Sequence, residues 1–201
     1  MVPRTISIND ISKLLKYAYT AIHYVRTNYQ LQVAFRNAAV IELLFATGAR
    51  VREISSIKPT DINIANGQIK LFGKGSKERI ISIQNTDVIN TLKEYVDMYN
   101  DKIKESGLMF VNKLGQRLTE QSIRNMINNY ADQCGVIIHI TPHMFRHSFV
   151  TLLLEEDVDI RYIQKMLGHS SITTTQIYTH VSLSKQSQIL KTKHPRNKIV
   201  L

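Results

Sequence analysis

The stretch Gly67-Gln68-Ile69-Lys70-Leu71-Phe72-Gly73-Lys74-Gly75-Ser76-Lys77-Glu78-Arg79-Ile80-Ile81-Ser82-Ile83 departs from the helical spacing of the residues around it. It predicts two strands, Gly67–Phe72 and Glu78–Ile83, joined through Gly73-Lys74-Gly75-Ser76-Lys77 as an antiparallel hairpin. Upstream the period is helical. Ser7-Ile8-Asn9-Asp10 precedes an amphipathic run through Leu14, Leu15, Tyr17 and Ala18, which reads as a capped helix. Arg36 to Thr47 is a more apolar helix ended by Gly48, and Arg52 to Ile57 a short one stopped by Pro59. Downstream, helical spacing returns at Asp87–Lys104, Thr119–Cys134, Thr141–Glu155, Ile160–Leu167 and Ser171–Ile189, with Met109-Phe110-Val111 as a third short strand. Lys191 to Leu201 has charge but no period and reads as a mobile tail. No repeat, low-complexity tract or linker interrupts the chain. The expected fold is mainly α with a small antiparallel β-sheet (α+β), one domain over residues 1–190 followed by a tail over 191–201.

The chain has 201 residues, long enough for a substantial core. Its 26 Lys+Arg against 16 Asp+Glu give a net charge of +10, which favours a polyanionic partner, since each neutralised phosphate releases condensed counterions. Charge alone does not separate a nucleic-acid binder from a merely basic protein. Cys134 is the single cysteine, so the sequence holds neither an internal disulfide nor a cysteine-based zinc site. The first twenty residues lack the apolar core of a signal peptide, and no stretch approaches the roughly 20 apolar residues of a membrane span. The expectation is a cytoplasmic protein with no membrane association.

Several side chains carry chemistry. Thr141-Pro142-His143-Met144-Phe145-Arg146 opens a helix, with Thr141 as N-cap and Pro142 at the first position. His143 and Arg146, three apart, share a face near the positive helix end, where phosphate is favoured; Phe145, Phe149, Leu152 and Leu153 would bury the other side. His147 could pair with His143 on a metal, but no third ligand is evident, so His147 reads as a satisfied structural histidine. Gly168 ends one helix and places His169 in the turn before the next, which carries Tyr178 about two turns in. Arg50 follows Gly48, with Glu53 as its obvious carboxylate partner, and Lys74 sits at a glycine-flanked hairpin tip. Each also has a plain structural reading: a packing tyrosine, a capping histidine, an Arg–Glu pair, a solvated turn lysine. Together they supply a phenol that can hold a phosphoryl group, guanidiniums that match phosphate oxygens, and imidazoles that move protons near neutral pH.

The set Ala46-Thr47-Gly48-Ala49-Arg50-Val51-Arg52-Glu53, Gly73-Lys74-Gly75-Ser76-Lys77-Glu78-Arg79, His143-Met144-Phe145-Arg146-His147 and Leu167-Gly168-His169-Ser170-Ser171…Tyr178 resembles the tyrosine recombinases of the phage-integrase family, most of all Xer-type and transposon-encoded members. The resemblance covers roughly residues 8 to 196, and His194-Pro195-Arg196 looks like a Xer-type tail. It implies the catalytic-domain fold of that family, with Arg50 and Arg146 clamping the scissile phosphate; losing such a donor typically costs about 3–4 kcal/mol. It further implies Tyr178 as nucleophile toward a 3′-phosphotyrosyl bond, His143 as its general base and Lys74 as the acid for the leaving 5′-oxygen. His169 would bond the phosphate and Glu53 would orient the site. No cofactor and no metal are implied. Phe145, where family members often carry Leu, is a packing change.

By the same analogy the partner is double-stranded DNA, with self-association into a tetramer on synapsis. The helix bearing Thr119, Gln121, Ser122 and Arg124 would enter a groove, and Lys77 and Arg79 would contact the DNA backbone. Val181, Leu183, Ile189 and Leu190 would bury either on a neighbouring protomer or on their own chain. Full-length relatives carry an N-terminal core-binding domain that is expected to be absent here; whether the chain is a piece of a longer protein or a short member stays open. Competing readings are a type IB topoisomerase-like relaxer, a non-catalytic DNA-binding accessory and a metal-dependent nuclease, the last without an acidic cluster to support it.

Overall fold

A helix buried on every side organises the molecule. The structure, a computed structural model, describes residues 4–73, 78–168 and 183–201. In α2 (Asn28–Thr47) every residue from Asn37 to Thr47 is buried, so this helix is central rather than superficial. Around it pack α1 (Ile8–His23), α4 (Thr86–Ser106), α5 (Glu120–Gln133) and α6 (Pro142–Glu155). Helix α2 starts eight residues before the expected Arg36. Its first two turns, which include Tyr29, Leu31 and Val33, are exposed or half-buried except at Ala34, and Thr27 and Gln30 form a capping box that starts them. Ser7 caps α1 as expected, accepting from the Asp10 N–H at 3.0 Å.

After the short α3 (Val51–Ser56) comes a three-stranded antiparallel sheet, β1 (Ile62–Asn63), β2 (Gln68–Phe72) and β3 (Glu78–Ser82), in that spatial order. Ile69 pairs with both Ile62 and Ile81. The antiparallel pairing of the two strands expected from the sequence is present, while residues 74–77 between them lie outside the described residues. The third strand is Ile62–Asn63, not Met109–Val111, where only Val111 forms an isolated bridge, with Arg117. The reason is local: the Tyr95 hydroxyl donates to the Met109 carbonyl (2.8 Å) and accepts from the Val111 N–H (3.4 Å). These buried backbone groups are thereby satisfied without a strand partner.

Helix α7 (Ile160–Leu167) and α8 (Leu183–Lys193) both pack on β3. The stretch from Lys191 onward corrects the expected mobile tail. Helix α8 runs to Lys193 and a 3₁₀ turn follows over Pro195–Lys198, with His194, Pro195, Arg196 and Ile199 buried. Arg196 is 0% exposed. Its Nε and Nη2 reach both Glu42 oxygens at 2.8–3.0 Å, Nη2 also meets Asp87 at 3.1 Å, and Nη1 donates to the Ile199 carbonyl at 3.1 Å. Glu42, in the middle of α2, also accepts from the Tyr19 hydroxyl at 2.7 Å, and burial with the Glu42 charge pushes that phenol far up. Leu190 is buried against its own chain. Val181 lies outside the described residues.

Candidate active site

The site begins with Gly48, whose φ of +58° turns the chain out of α2. A Cβ there would stand 2.9 Å from the Phe149 ring and 3.1 Å from Leu167, so only glycine fits. The turn delivers Arg50 to the N-cap of α3. Glu53, one turn on, accepts from the Arg50 N–H at 2.7 Å, as the N3 residue of a capping box does.

Glu53 departs from the expected simple pairing with Arg50. Its two oxygens accept from Arg79 Nη1 and Nη2, both at 2.7 Å, while Arg50 Nη1 lies at 3.3 Å. The Glu53 and Arg79 side chains are 4% and 7% exposed, but that of Arg50 is 40% exposed. Burial pushes the Glu53 carboxyl up; the hydrogen bonds and charge of Arg79, with the Arg50 N–H, outweigh it and hold it below the usual carboxylate range. Arg79 is therefore not the exposed DNA-backbone contact expected from the sequence. Strand alternation carried the signal: Arg79 shares a face with the buried Ile81 and Ile83.

Arg146 comes from the other direction. From α6 its Nη1 donates to the Gly48 carbonyl and its Nη2 to the Leu167 carbonyl, each at 2.9 Å. One guanidinium thus braces the ends of α2 and α7, with 7% of the residue exposed. Burial first, then the positive charges of Arg50 and Arg79, bring its pKa down to about 10, so it remains charged at neutral pH. Among the described residues, Arg50, Arg79 and Arg146 face a single carboxylate, Glu53, leaving an excess of two positive charges. An anion entering beside Arg50 would relieve that repulsion, and a phosphodiester has the charge and the oxygen geometry to do so.

His143 lies exposed in the first turn of α6, one turn before Arg146. Thr141 occupies the N-cap position without a side-chain cap bond. His147 is exposed, not the satisfied structural histidine expected. Lys74, Lys77, His169 and Tyr178 lie outside the described residues. Gly168, at φ +68°, ends α7 immediately before His169.

Of the expected DNA-contact residues, Thr119, Gln121 and Ser122 are exposed at the start of α5, and Arg124 is half-buried and paired with Glu120 at 3.2 Å. Thr119 caps the helix by accepting from the Ser122 N–H at 3.1 Å. Ser55 of α3 donates to the Leu118 carbonyl (2.6 Å) and accepts from Arg117 Nε (2.9 Å), which places the start of α5 beside the helix that carries Arg50. Among the described residues no helix is long and apolar enough to cross a membrane.

The profile of the phage integrase family matches residues 5–185. A tyrosine recombinase of Agathobacter rectalis is 51% identical over 98% of this chain, which spans 64% of that protein's length. Among solved structures, the XerA recombinase superposes with a TM-score of 0.73 at 28% identity, over 96% of this chain and 66% of its own. The XerH site-specific recombinase, solved bound to its difH substrate as a pre-cleavage complex, superposes at 0.72 with 28% identity, over 93% of this chain and 53% of its own. The chain therefore spans about two thirds or less of each of these relatives. The family match over residues 5–185, together with 51% identity to a tyrosine recombinase along nearly the whole chain, makes this chain a member of the phage integrase family.

Proposed function

We propose that this chain is the catalytic domain of a site-specific DNA recombinase that breaks and rejoins strands through a 3′-phosphotyrosyl intermediate. The observation that carries the reading is the excess of positive charge where Arg50 and Arg146 converge, one guanidinium exposed and the other rigidly braced. Such preorganised donors stabilise charge that grows on phosphate oxygens in the transition state. The Tyr178 phenol oxygen attacks phosphorus and passes its proton to His143, since a phenol with a free pKa near 10 is a poor nucleophile unaided. As the Tyr178–phosphorus bond forms, the bond to the 5′-oxygen breaks and Lys74 protonates the leaving oxygen. His169 bonds a phosphate oxygen. The covalent link conserves the phosphodiester's energy, so a second 5′-hydroxyl reverses the step without ATP.

Double-stranded DNA is the partner, reached through the exposed start of α5 (Thr119, Gln121, Ser122, Arg124) and through Lys77. A DNA-bound recombinase among the structural relatives supports this choice. Pairs of copies assembling into a tetramer on DNA, and a cytoplasmic location, belong to the same reading. The test is covalent trapping. The chain and a Tyr178→Phe variant are incubated in EDTA with nicked duplexes that shed a short 5′-hydroxyl strand, then run on a denaturing gel. An adduct from the parent chain alone is expected; adduct formation by Tyr178→Phe, or loss of activity with EDTA, would overturn the assignment.

A further inference from the structure

We propose that Arg79 is a positioning residue of this site: it occupies the Glu53 carboxylate so that the Arg50 guanidinium stays open to a phosphate. The inference rests on the catalytic reading above. Both Glu53 oxygens are taken by Arg79 at 2.7 Å, whereas the Arg50 guanidinium makes one longer contact at 3.3 Å and keeps 40% of its side chain exposed. Arg50 is thus held chiefly by its backbone N–H, which donates to Glu53 at 2.7 Å, while its charged end reaches Glu53 through the 3.3 Å contact of Nη1. Without Arg79, the buried carboxylate would have Arg50 as its nearest cation and would compete with any phosphate for it.

Two further observations favour an electrostatic task over simple packing. Arg79 Nε is buried with no hydrogen-bond partner among the described residues, a cost that an apolar residue of similar volume would avoid. The Arg79 stem also lies where a Cβ at Gly168 would come within 3.0 Å of its Cδ, so the same side chain lines the path of the chain just before His169. Arg79 therefore links three pieces of the site: the start of α3, strand β3 and the end of α7.

The test compares Arg79→Met, Arg79→Lys, Glu53→Gln and the Arg79→Met/Glu53→Gln double variant in the nicked-duplex trapping assay, each checked for a cooperative thermal transition. Arg79→Met is expected to slow adduct formation at saturating DNA roughly ten- to hundred-fold, short of the loss from removing a direct phosphate donor. Half-saturating DNA should change far less. Adding Glu53→Gln should recover at least about tenfold, because it removes the competing anion. The charged groups facing Glu53 are Arg50, Arg79 and Arg146, so deleting Arg79 raises its carboxyl. The defect relative to the parent chain should accordingly shrink as pH falls from 8 toward 5.

If Arg79→Met does not fold, Arg79→Lys carries the comparison, since it keeps the charge but loses the fork, and Glu53→Gln should still rescue it in part. Parent-like rates in the Arg79 variants, or no rescue by Glu53→Gln, would overturn the proposal and leave Arg79 a purely structural residue. No adduct from the parent chain would overturn the catalytic reading itself and this inference with it.

Discussion

Gly48 is the residue on which the site geometry turns. Its carbonyl receives Arg146, its left-handed backbone starts the turn to Arg50, and its missing Cβ leaves room for Phe149 and Leu167. Gly48→Ala should cost about 2–4 kcal/mol, from a left-handed non-glycine residue plus a Cβ forced against an aromatic ring. Urea unfolding monitored by circular dichroism measures it, and a cost under about 0.5 kcal/mol, the range of neutral surface substitutions, would show that the site repacks freely. At this scale the sequence spoke clearly about Arg50, Arg146, Glu53 and His143 as a group, because their order and spacing are distinctive. Which cation pairs with Glu53 was not legible. Arg79 lies 26 positions away in sequence, and only the register of β3 brings its side chain under α3.

Helices α2 and α6 are joined by an aromatic cluster built around His194, which meets one ring edge-on and the other at a tilt. The His194 ring lies 5.5 Å from both Phe45 and Phe149, and its Nδ1 accepts from the Arg196 N–H at 3.0 Å. The proton therefore sits on Nε2, which is buried beside the Phe45 and Ala46 backbone without reaching good hydrogen-bond geometry there. Burial, and secondarily the Arg196 charge, pull the His194 pKa down to about 3 from an ordinary value near 6.5. Between those values the unfolded chain binds a proton that the folded chain refuses. Stability is therefore full above pH 6.5 and is lost as pH falls toward 3, by about 1.4 kcal/mol per unit from this group. Denaturant melts across pH 4 to 8 should show this slope, and His194→Asn, which retains a capping acceptor, should flatten it. An unchanged slope would mean that other groups carry the acid sensitivity. The helices and the hairpin were largely legible as elements, since each has its own period. The first turns of α2 were not, because they lie largely outside the core and depend on a cap; nor was β1, whose two residues are too few to show alternation.

For the whole molecule, the last residues close the fold. Arg196, fully buried, joins the chain's end to Glu42 in the central helix, to Asp87 at the start of α4 and, through Glu42, to Tyr19 of α1. Arg196→Met leaves Glu42 buried without its partner and should cost about 3–5 kcal/mol, whereas Arg196→Met/Glu42→Leu should cost markedly less, since the stranded charge goes with it. Equal losses in the single and double variants, read from urea midpoints, would refute the ion pair as the source. By itself the sequence determined the run of helices around one hairpin, the positive charge and the spacing of the arginine and histidine motifs. These depend on local periodicity, on turn residues and on composition, which neighbouring residues specify. Only the tertiary structure decided that the final residues pack rather than trail, that Glu53 belongs chiefly to Arg79, and that Arg146 braces two helix ends. Those outcomes come from burying charged groups far apart in sequence: in a low-dielectric interior each must find an oppositely charged or hydrogen-bonding partner, and only the folded chain brings that partner near.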